Sequence, residues 1–106
     1  VKVLTRPEEL ALLAVWRLHP DAYGVTIRQY VMDVTETRWS VGAIYDALDR
    51  LSLRGLLQAR QADPTPERGG RSKKYFKLTR LGHETLMQMR EMQMALWRGL
   101  PAVDFE

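Results

Sequence analysis

Asp46 and Asp49 stand three residues apart in a stretch of helical periodicity, a spacing at which two carboxylates can act as acid and base or share a metal ion. Nothing around them completes such a site. The sequence has no cysteine and only two histidines, His19 and His83, each beside a predicted helix end. It contains no phosphate loop, no nucleophile constellation and no zinc spacing. Neither catalysis, nor a metal, nor a cofactor is expected. The remaining chemistry is basic. Residues 60–80 carry a net charge of +5, against zero for residues 1–59 and −2 for residues 81–106. Within that segment Arg68, Arg71, Lys73 and Lys74 follow one another with no acid between them. Positive charge confined to one segment is the footprint of a surface that meets a polyanion.

The elements that must position these groups are legible from periodicity and caps. Trp39–Leu57 reads as one short helix with Ser40 as N-cap and Gly55 as the residue that ends it. Val41, Ile44, Leu48 and Leu51 recur at helical spacing, with Ala47 beside them and Tyr45 at the edge. The opposite face carries Gly42, Ala43, Asp46, Asp49 and Arg50, and its first turn is nearly bare. Ahead of it, Ile27, Tyr30, Val31 and Val34 form the stripe of a helix over Val25–Thr35, with Thr26 and Gln29 as a cap. The short link Glu36–Arg38 joins the two into a helix-turn-helix pattern. After Gly55, Leu57–Ala62 and Lys73–Leu78 read as two strands around a long loop, Asp63–Ser72, that holds part of the basic cluster.

The outer elements predict assembly. Thr5–Glu8 is a capping box with Pro7 in the first turn, and Leu10–Trp16 behind it has no polar face. A helix apolar all round must be covered on more than one side, which in so small a chain suggests a second copy. The final helix, from Thr79 to about Gly99, carries Leu86, Met89, Met92, Leu96 and Leu100 on one stripe, with Met87 and Met94 on another side. One globular unit suits 106 residues with 45% hydrophobic and 27% charged side chains. Its longest apolar run, Leu10–Trp16, is too short to span a bilayer, and a cytoplasmic location is expected.

Two stretches carry a family resemblance. VGAIYDALDRLSLRGLL, Val41–Leu57, resembles the recognition-helix signature of the PadR family of bacterial and archaeal regulators, and GGRSKKYFKLTRLGHETL, Gly69–Leu86, resembles the wing of the same family. The likeness extends over roughly residues 8–90. The family's usual His-Gly-Tyr ahead of the second helix is present only in part, as Tyr23-Gly24-Val25. The resemblance implies a mainly α (α+β) winged helix-turn-helix over residues 1–78 and a single C-terminal dimerisation helix over residues 79–106. It implies a homodimeric, prokaryotic transcription regulator, usually a repressor, on double-stranded DNA with a palindromic operator. Members often sense a small aromatic or cationic effector.

On this reading Ser40, Gly42, Ala43, Tyr45, Asp46 and Arg50 lie near the DNA groove, with Arg68, Arg71, Lys73 and Lys74 on the flanking backbone. The Ser40 and Tyr45 hydroxyls would hold phosphate, Arg50 would meet phosphate or a base edge, and the acids would accept from cytosine N4 or repel wrong sites. Leu12, Trp16, Leu86, Met89, Met92, Leu96 and Leu100 are expected to make the dimer. Trp97 either lines a ligand gap with its symmetry mate, with Glu91, Asp104 and Glu106 favouring a cation nearby, or fills the dimer core. A winged helix used as a protein-interaction or assembly module is the alternative, with the basic hairpin on an acidic partner.

Overall fold

The computed structural model describes residues 3–62 and 73–105. Four helices, α1 (Arg6–Leu18), α2 (Gly24–Thr35), α3 (Val41–Leu53) and α4 (Arg80–Trp97), enclose one core, and the strands β1 (Leu57–Gln61) and β2 (Lys74–Leu78) form an antiparallel hairpin. The architecture is the winged helix-turn-helix that the sequence predicts.

Local chemistry sets the boundaries. The Thr5 hydroxyl accepts from the Glu8 amide at 3.3 Å while Glu8 Oε1 accepts from the Thr5 amide at 2.9 Å, closing the capping box of α1. Ser40 Oγ accepts from the Ala43 amide at 3.0 Å, and Thr79 Oγ1 accepts from the Gly82 amide at 3.0 Å. Gly55, with φ +76°, ends α3 in the left-handed region that a side chain resists. The cap of α2 differs from the expectation. Tyr23 is its N-cap, and Thr26, three residues in, reaches back to accept from the Tyr23 amide at 3.0 Å, while Gln29 bonds Asp33 instead.

Ala11, Leu12, Ala14 and Val15 of α1 are buried by α2, α3, β2 and α4 of the same chain. The helix expected to need a second copy on several sides needs one only along Leu13 and Trp16, which remain about half exposed. Ile27 and Val31 of α2 and Ile44, Ala47, Leu48 and Leu51 of α3 complete the centre. Each large aliphatic side chain here contributes about 1.5–3 kcal/mol through burial. Two stripes run beyond their cover. Val34 and Val41 are exposed, because each sits at the end of its helix next to the turn, past the reach of the neighbouring elements.

The hairpin register pairs Leu57 with Leu78, Ala59 with Phe76 and Gln61 with Lys74. Phe76 is the member that enters the core. On its other edge β2 meets the turn before α2, where the Phe76 amide donates to the Ala22 carbonyl at 2.8 Å and Tyr23 bridges Tyr75. Helix α4 then closes on the molecule through Gly82, where a Cβ would overlap the Leu56 carbonyl, and through buried Leu86 and Met89.

Candidate nucleic-acid interface

Helix α3 presents an outer face that is polar and sterically open. A Cβ at Gly42 would meet nothing within 4 Å, and Ser40, Asp46 and Asp49 are exposed around it, with Ala43 half-buried. Ser40 Oγ uses a lone pair on the Ala43 amide, so its own proton remains free to donate outward. Tyr45 is 42% exposed and lays its ring and hydroxyl against Gly24, at the start of α2. A Cβ at Gly24 would overlap that ring, so the glycine is what lets the two helices of the motif approach there.

The wing reaches the same place from the other side. Lys73 Nζ lies 3.8 Å from the centroid of the Tyr23 ring, and Tyr23 in turn meets Tyr75 edge-on at 5.4 Å. The quadrupole of the ring holds the ammonium without neutralising it, so Lys73 keeps its charge for an anion. Arg60 stands 5.4 Å from the centroid of Tyr75, and Lys74 stands 5.8 Å from that of Phe76. Tyr45 of α3 and Lys73 of the wing therefore converge on adjacent residues, Gly24 and Tyr23. Arg68 and Arg71 lie outside the described residues.

Arg50 is placed differently from the expectation. Its Nε donates to Glu8 Oε2 at 3.2 Å, and Arg54 Nη1 donates to the same oxygen at 3.4 Å. Glu8 is 4% exposed. Burial by itself would push its carboxyl up, but hydrogen bonds from Thr5 and Arg50 and the charge of Arg54 outweigh this and hold it below the ordinary carboxylate value. One carboxylate thus caps α1 with one oxygen and ties α3 to α1 with the other. Arg50 is committed to that tie, which orients the helix from behind. Arg28 fixes the connector in a similar way, its Nε donating to the Trp39 carbonyl at 2.7 Å.

The expected dimer residues divide. Leu12 is fully enclosed, and Leu86 and Met89 face their own α1 and core, so these three side chains cannot reach a partner. Their stripe is the seam between α4 and its own domain. Trp16, Met92, Leu96 and Leu100 are accessible, and Trp97 is 76% exposed. Trp16 stands edge-on to His83 with ring centroids 5.0 Å apart. Glu91 and Asp104 are exposed, while Glu106 lies outside the described residues. Among the described residues no group of three or more His, Cys, Asp or Glu is placed to hold a metal, and no helix is long and apolar enough to cross a membrane.

Sequence reasoning missed Tyr23, Gly24 and Tyr75 as a junction and Glu8 as a tie. The partial Tyr-Gly motif ahead of α2 was the available signal for the first. For the second there was none, because the arginines lie 42 and 46 residues away.

Comparison with known proteins places the chain. The Transcriptional regulator PadR-like family matches residues 12–88. A PadR family transcription regulator from Clostridium difficile R20291 superposes with a TM-score of 0.74 at 21% identity, covering 89% of this chain and 93% of that one. A PadR-like transcription factor from Bacteroides fragilis superposes with a TM-score of 0.69 at 27% identity, covering 86% and 85%. RosR of H. salinarum superposes with a TM-score of 0.74 at 19% identity, covering 94% and 83%. No curated protein sequence matches the chain.

Proposed function

The chain belongs to the Transcriptional regulator PadR-like family, and on that premise we propose that it is a homodimeric repressor that binds a palindromic operator on double-stranded DNA. The observation that carries this reading is the convergence of Tyr45 from α3 and Lys73 from the wing on Tyr23 and Gly24. It gives a bare helix turn and a fixed cation a common support, as insertion of a helix into a major groove beside a charged hairpin requires. Ser40, Gly42, Ala43, Tyr45 and Asp46 would face the groove, with Arg68, Arg71, Lys73 and Lys74 on phosphate. Arg50 acts from behind through Glu8. Residues 1–78 would carry the DNA surface, and residues 79–106 the assembly surface on the distal half of α4. Such a regulator would act in the cytoplasm of a prokaryotic cell.

Trp97 would come to lie beside its symmetry mate if the exposed ends of α4 cross. Indole faces separated by Met and Leu side chains would accept a planar aromatic or cationic effector. Selection of bound duplexes from a random pool tests the main reading. An enriched palindrome is expected, with affinity that falls steeply as salt rises. Uniform binding to every duplex, or none to any, would overturn it, and tight binding to an acidic protein without DNA affinity would favour an assembly module.

A further inference from the structure

The described end of the chain leaves an apolar segment with nothing to lie on. Beyond α4, Leu100, Val103 and Phe105 are 61%, 65% and 88% exposed. Asp104 sits between the last two, and Glu106 follows. The tail is therefore apolar with acidic punctuation, and it rests against no part of its own chain.

Elsewhere the molecule carries the complementary surface. Leu13 and Trp16 form a ridge on α1 with a hollow on each side. One hollow, about 430 Å³, lies between α1 and α4 and reaches Met87 and Arg90. The other, about 530 Å³, reaches Arg17 and Tyr30. Arg17 and Arg90 have no carboxylate within 4 Å among the described residues. Glu9, the acid at the rim, is engaged by Gln93 at 2.8 Å and Arg6 at 3.6 Å. The ridge is thus apolar and flanked by two available cations, the inverse of the tail.

We infer that residues 100–106 of one chain dock across the Leu13–Trp16 ridge of a second copy, with Val103 and Phe105 in the hollows and Asp104 and Glu106 toward Arg17 and Arg90. Charge complementarity selects this occupant over a neutral apolar peptide. A two-fold dimer buries both tails in the same stroke, because each copy offers one tail and one ridge. Docking adds contact area to the exposed half of α4, which is too narrow a strip to hold two small domains firmly by itself. The inference rests on the homodimer proposed above.

The absence of native cysteine makes the test direct. A Leu13→Cys chain is mixed with an Ala102→Cys chain under mild oxidation, and sedimentation is measured on the same samples. A disulfide between the two chains should form about tenfold faster than between Leu53→Cys and Ala102→Cys, because docking raises the effective concentration. Adding Phe105→Ala and Asp104→Asn to the tail chain should abolish that excess. A dimer that cross-links no faster at Leu13 than at Leu53 overturns the docking and leaves the dimer standing. A Leu13→Cys/Ala102→Cys chain that closes on itself, with no cross-chain product from the mixture, overturns it in favour of a fold-back. A chain that sediments as a monomer at every concentration removes the dimer and the docking together.

Discussion

The outer face of α3 and the distal half of α4 are both left uncovered by the fold, yet they differ in what they expose. On α3 the open atoms are hydroxyls, carboxylates and a bare glycine backbone around Gly42. From Met92 onward α4 exposes thioethers, leucines and an indole. Water satisfies the first surface and not the second. An exposed polar turn can wait in solvent until a charged groove displaces its water, whereas an exposed apolar strip signals a surface that is covered in the working molecule. Exposure does not name a partner, but the chemistry of the exposed atoms does. The contrast also runs within α4, since Gly82, Leu86 and Met89 belong to the core of the same chain.

Cutting the chain at two places separates these roles and should give the largest effects. Ending it after Thr79 removes Leu86 and Met89, uncovers α1, and should leave no cooperative thermal transition. Ending it after Glu91 keeps both residues and should leave a folded monomer. DNA affinity of that monomer should fall by about 10²-fold or more, because two half-sites no longer bind as one unit. A stable dimer without residues 92–106 would break the comparison.

Glu8→Gln comes next. Glutamine can still accept from the Thr5 amide, so the change isolates the tie to Arg50 and Arg54. Because those arginines are 48% and 26% exposed, the cost should be about 1–3 kcal/mol rather than that of a fully buried pair, read from urea unfolding. The pH dependence has a definite sign. A carboxyl held below its ordinary value near 4.5 contributes stability that is complete above that value and is lost as pH falls through the lower folded one. Glu8→Gln should therefore flatten the acid limb of the stability curve. An unchanged limb would remove the tie as an energetic feature.

The tie also shows where sequence reading stopped. Helix starts at Thr5, Ser40 and Thr79 and the stop at Gly55 were legible because a cap is decided within three or four residues. The hairpin followed from alternation around Phe76. What periodicity could not tell is which apolar residues find cover. Leu86, Met89, Met92 and Leu96 share one stripe, but the first two meet their own core and the last two meet solvent. Glu8 with Arg50, and Tyr23 with Tyr75, are pairings across tens of residues that tertiary folding alone creates.

Lys73→Ala should act on the polar surface alone. Its ammonium sits on the Tyr23 ring at the wing's base, so removal should weaken all duplexes alike. The slope of log affinity against log salt should shrink by about 1, with little change in thermal stability. A sequence-selective loss would instead mean that Lys73 reads a base edge.

Gly42→Ala should give the smallest effect, and it sharpens the comparison most. Gly42 is the second residue of α3, and an added methyl meets nothing within 4 Å, so no clash opposes it. Alanine loses less backbone entropy than glycine on entering a helix, and the substitution should stabilise the chain by about 0.5 kcal/mol, seen as a small rise in Tm. A turn that serves only as a solvated face would show that gain and no other change. A turn that lies against a groove has no room for the methyl, so operator affinity should fall, by less than the roughly 1–3 kcal/mol of one mismatched base pair. Stability and affinity moving in opposite directions can come only from a surface kept bare for a partner. If both rise together, the open turn of α3 is not where DNA lies, and the wing becomes the surface to test.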